Sequence, residues 1–90
     1  MQRVSPAALA DLGPQLDSLL NQLDEEIPGG YSDRFQGQVL RLILQTERLL
    51  APNPSERQLL AVSKALLNSG QANLALSKLE EALIPRLPRR

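Results

Sequence analysis

The chain has 90 residues, ten basic against ten acidic, and neither His nor Cys. This allows one domain, residues 1–90. It excludes the usual zinc and iron–sulfur sites and His-based acid–base chemistry, and it leaves no disulfide to staple a small fold. No apolar run exceeds four residues, so no membrane span is expected. Met1 to Gly13 lacks the apolar stretch of a secretory signal, and the expected location is cytoplasmic.

Leu fills 20 positions, while the aromatics are one Tyr and one Phe. Leu loses little rotamer freedom in a helix, whereas strands prefer β-branched and aromatic residues. The predicted class is therefore all-α. Charge is balanced in total but not along the chain. Residues 1–30 hold five acids against Arg3, and residues 31–90 hold nine Lys or Arg against five acids. Intramolecular complementarity between the acidic first segment and the basic later ones is the simplest expectation. The neutral total argues against a dedicated nucleic-acid binder, which needs several phosphate-neutralising cations together.

The first helix opens at Ser5, with Pro6 in the first helical position. Leu9, Leu12, Leu16, Leu19 and Leu23 follow at alternating spacings of three and four, an a/d pattern. Gly13-Pro14 interrupts it and predicts a kink or a break, because Pro removes a donor and disfavours helical geometry at the residue before it. The stripe stays in phase across the interruption, which favours the kink. Pro28-Gly29-Gly30 ends the segment.

Ser32 is the expected N-cap of a second helix, from about Asp33 to Ala51. Phe35, Val39, Leu42, Ile43, Thr46, Leu49 and Leu50 share one face. Leu40 and Leu44 lie off it, so this helix is either the most buried or carries a second face for a partner. Gly37 costs about 1 kcal/mol relative to Ala and predicts close packing at that point. Arg34, Arg41 and Arg48 recur every seven residues on the polar side.

Asn53-Pro54-Ser55-Glu56 predicts a capping box with Pro at the first helical position. The third helix should run to Asn68 or Ser69, with Leu59, Val62, Ser63 and Leu66 on one face and Leu60 and Leu67 beside it. Ser69-Gly70 predicts a tight turn. A fourth segment, from about Gln71 to Ile84, carries Leu76, Leu79 and Leu83 with Ala72, Ala75 and Ala82. Pro85 stops it, leaving residues 85–90 as a short basic, flexible tail. Short loops force antiparallel neighbours. The expected architecture is a small antiparallel bundle of three long helices, four if the first breaks at Gly13-Pro14.

In the last third of the chain, Leu59, Ser63, Gly70, Ala75, Leu79 and Ala82 fall at the spacings of a tetratricopeptide repeat, which this hairpin resembles. The resemblance implies two helices packed closely through small residues. Leu59 and Leu66 replace the family's aromatics and Leu87 its proline. No second copy of the pattern lies 34 residues upstream, whereas a solenoid needs about three repeats. The simpler expectation is one hairpin within the bundle.

Tested as a helix-turn-helix, the same hairpin offers only Asn73 and Lys78 for DNA, with Glu80-Glu81 repelling it. Asp24-Glu25-Glu26 has no EF-hand spacing and reads as a solvated helix end, with its charge at the unfavourable end of the dipole. A basic group nearby would explain it. The Arg34, Arg41 and Arg48 row, with Arg57 close by, could bind carboxylate or phosphate. The plainer expectation is a solvated face pairing with Glu47, Asp33 or the first helix. No nucleophile–base spacing and no phosphate loop is present, so neither an enzyme nor a cofactor site is expected.

What remains is a surplus of apolar helix face. The expected function is a non-catalytic protein–protein interaction module: an adaptor, a small chaperone-like partner or an assembly factor. It would bind another protein or itself as a homodimer through Leu40, Leu44, Leu60, Leu67, Arg34, Arg41 and Arg48. The alternative is a small dimeric regulator touching nucleic acid through the C-terminal arginines Arg86, Arg89 and Arg90.

Overall fold

A computed structural model describes residues 6–27 and 30–87, with side chains from residue 10 onward. It contains four α-helices: α1 (Pro6–Leu23), α2 (Asp33–Leu50), α3 (Pro54–Asn68) and α4 (Ala72–Leu83). A 3-10 turn, Ile84–Arg86, follows α4. The fold class is all-α, as composition predicts. The radius of gyration is 12.7 Å and the principal extents are 41 × 26 × 18 Å. α2 and α4 are the central pair, each packing against all three other helices.

The first helix neither breaks nor restarts at Gly13-Pro14, and α1 runs through both residues. The bundle thus has four helices because α4 stands as a full element, not because α1 divides. The unfavourable contact between a proline ring and the residue before it involves that residue's Cβ, which Gly13 lacks. Leu12, Leu16 and Leu19 stay on one buried face across the proline, so burial holds the helix together. The expected Ser5 cap lies outside the described residues, as do Pro28 and Gly29. After α1 the chain turns through Asp24–Glu26, and the Glu26 carboxylate accepts the backbone N–H of Ser32 at 2.8 Å.

Ser32 caps α2 by accepting the N–H of Phe35 at 3.2 Å. At the other end Ala51 takes a left-handed conformation, φ 48° and ψ 63°, and Pro52 then prevents the helix from continuing. The capping box of α3 forms as predicted. Asn53 Oδ1 accepts the Glu56 N–H at 2.8 Å, and Glu56 Oε1 accepts the Asn53 N–H at 3.0 Å. Gly70, at φ +78°, makes the tight turn into α4.

Among the described residues the apolar part of the core is aliphatic except for Phe35. The buried face of α3 is Glu56, Leu60, Ser63 and Leu67, one residue away from the expected phase. Val62 is exposed instead. Ser63 belongs to both faces. Its small hydroxyl donates to the Ala75 carbonyl at 2.6 Å, so α3 and α4 approach along Ser63, Ala72, Ala75 and Ala82, all buried. This is the close small-residue packing that the hairpin's repeat-like pattern implies.

Residues 85–87, expected to belong to a flexible tail, are tied into the bundle. Arg86 donates to both Glu56 carboxylate oxygens, at 2.8 and 2.9 Å, and to the Leu50 carbonyl at 2.8 Å. That carbonyl is one of those a helix C-terminus leaves without an intrahelical donor. The end of α2, the start of α3 and the turn after α4 are thereby joined through one guanidinium. Leu87 packs over Gly13, where an added Cβ would lie 3.6 Å from its Cδ1. Pro88, Arg89 and Arg90 lie outside the described residues.

Candidate functional site

Core packing consumes only one side of α2. Phe35, Val39, Leu42, Ile43, Thr46 and Leu50 are buried, and the Thr46 hydroxyl is satisfied by the Leu42 carbonyl at 2.8 Å. At about 100° per residue, the opposite side presents Leu40, Leu44 and Gly37, then Arg48, Arg41 and Arg34. Gln45 and Gln38 follow, next to α1. Among the described residues the two leucines stay partly open to solvent: Leu40 is 39 % exposed and Leu44 49 %. A shallow groove of about 400 Å³ on this face is lined by Gly37, Leu40, Arg41, Leu44, Gln45 and Arg48.

Two of the four leucines expected at the interface are not available to a partner. Leu60 and Leu67 are 0 % and 5 % exposed and belong to the α3 core face. They flank Ser63 on the face that packs inward. Gly37 also departs from expectation: it is exposed, and nothing lies within 4 Å of where its Cβ would be. Among the described residues it makes no close helix–helix contact through that position.

Arg34, Arg41 and Arg48 are all exposed. Glu47, an expected partner, instead pairs with Lys64 of α3 at 2.9 Å. Among the described residues none of the three guanidiniums lies within ion-pair distance of a carboxylate. Arg57 stands on α3, and its Nε donates to the Pro52 carbonyl at 3.2 Å. Arg41 stands at a junction. It also lines a groove of about 350 Å³ between α1 and α2, with Pro14, Gln15, Ser18 and Gln22 on the far wall.

One feature was invisible in the residue pattern. Among the described residues the side-chain oxygens of Gln38 and Gln45 are buried without a hydrogen-bond partner, although both residues look like surface polar positions. A buried acceptor left unpaired costs about 1–3 kcal/mol. Both sit on the α1 side of the arginine row.

Among the described residues no cluster of three or more His, Cys, Asp or Glu could hold a metal ion, and no helix is long and apolar enough to cross a membrane. Comparison with protein-family models, curated proteins and solved structures gives no match for this chain.

Proposed function

We propose that this chain is a non-catalytic protein-binding module whose docking surface is the outer face of α2. The observation that carries the reading is the pairing, on one helix, of a partly exposed apolar strip with a row of arginines that meet no carboxylate among the described residues. Leu40 and Leu44 supply area to be removed from water, and Arg34, Arg41 and Arg48 supply orientation and selectivity. The core does not depend on these five side chains, so the face is free to serve a partner. Adaptor, chaperone-like partner and assembly factor all fit this reading. Of the three arginines on which the nucleic-acid alternative rests, Arg86 is engaged by Glu56 and the Leu50 carbonyl, and Arg89 and Arg90 lie outside the described residues.

A photo-crosslinking amino acid placed at Leu44, and separately at the exposed Leu74 of α4, tests the assignment in the cells that make the protein. Adducts of one defined mass at position 44, absent at 74 and lost when Leu40 becomes Asp, are expected. Equal labelling at both positions, or labelling only at 74, would overturn the reading.

A further inference from the structure

Resting on that docking face, we infer that its occupant is an acidic amphipathic helix of another protein, laid along α2. A rise of about 1.5 Å per residue puts Arg34 and Arg48 roughly 21 Å apart along the axis, with Arg41 midway. A partner helix alongside α2 meets these guanidiniums with carboxylates at the same seven-residue interval, and each guanidinium can grip a carboxylate through two N–H groups. Its apolar residues then cover Leu40 and Leu44. At Gly37 nothing lies within 4 Å of the missing Cβ, so the partner's backbone can come close at that end of the strip.

A second copy of this chain fits less well. In an antiparallel two-fold pairing of α2 with its copy, both arginine rows fall on the same edge, and Arg41 faces the copy's own Arg41. Such like-charge opposition costs affinity. In a parallel pairing the row meets the flank of Asp33 and Glu47, and Glu47 is already held by Lys64. Two partly exposed leucines fall far short of the about 800 Å² per partner that a stable complex buries, so either occupant depends on charge for what area does not supply. A carboxylate-bearing helix supplies what the small apolar strip lacks. The complex should accordingly be weak and salt-sensitive.

The probe is a fluorescein-labelled, helix-forming peptide as long as α2, 18 residues, with leucines along one stripe and glutamates every seventh position beside it. A second peptide carries lysines in place of those glutamates. Fluorescence anisotropy with the full chain should show binding of the Glu peptide and not of the Lys peptide. Raising salt from about 0.01 M to about 1 M shortens the screening length from about 30 to about 3 Å and should abolish most of the binding. The triple variant Arg34→Glu, Arg41→Glu and Arg48→Glu should weaken the Glu peptide about tenfold or more, since exposed pairs contribute several tenths of a kcal/mol each, and should admit the Lys peptide. Should that variant misfold, Glu→Gln changes in the peptide deliver the same comparison without altering the protein. Equal binding of the two peptides, or binding of neither, overturns the acidic-helix inference. Crosslinks at position 44 alongside such a result would leave the module reading standing and reject only the partner chemistry. A molar mass by light scattering that doubles with concentration, and reverts when Leu40 and Leu44 become Asp, would identify the occupant as a second copy and overturn the inference.

Discussion

Among the described residues Ala51 is the non-glycine residue with positive φ. An L-residue in the left-handed region costs roughly 1–2 kcal/mol, because its Cβ crowds the following carbonyl. At Ala51 (φ 48°) the following proline adds a further restriction. The conformation persists because α2 must stop there, so that Leu50 is buried and its carbonyl faces Arg86. Ala51→Gly removes the Cβ from that position and should raise the unfolding free energy by about 1 kcal/mol. Urea denaturation followed by circular dichroism reads the change as a shifted midpoint at constant slope. A lower midpoint would mean that the glycine's extra unfolded-state freedom outweighs the relief.

At the scale of elements, helix existence and ends were legible because they are local. Ser32, Asn53, Pro54, Glu56 and Gly70 each act on backbone groups within a few residues, and each performs its expected task. The orientation of α3 was not legible. Apolar residues at 59, 60, 62, 66 and 67 leave the helix several ways to face inward, and the choice is made by packing against residues distant in sequence, among them the Ala75 carbonyl that the Ser63 hydroxyl meets twelve residues away. Leu60 and Leu67 therefore become core while Val62 does not. The role of Arg86 was hidden for the same reason, since its partners lie 30 and 36 residues earlier. Glu56 is a buried carboxylate that also completes the capping box, so the guanidinium joins three helix ends at one acid. Arg86→Ala leaves that carboxylate without its cation and should cost about 1–3 kcal/mol, even with part of the arginine open to water. Arg86→Lys keeps the charge but not the fork that reaches Glu56 and Leu50 together, and should recover less than half of the loss. Thermal melts of both variants check the order; equal melting temperatures for Lys and Arg would show that charge alone matters.

Over the whole molecule, stability and the proposed docking function make opposite demands at Gly37. The fold gains nothing from a glycine there: the position is helical, exposed and bounded by open space. A helix-interior glycine costs about 0.5–1 kcal/mol relative to alanine, so Gly37→Ala should stabilise the free chain by about that amount. On the outer face of α2 the same methyl group fills the dent beside Leu40 and Leu44, where a partner helix can make its nearest backbone approach. Binding of the acidic peptide should weaken severalfold as the chain becomes more stable, the trade-off expected where a residue serves a surface contact at the expense of the fold. Measuring both quantities on one preparation separates the two roles. A variant that melts higher and binds the peptide as tightly as the parent would mean the partner never approaches Gly37, and docking would then be confined to Leu44 and the arginines nearest it.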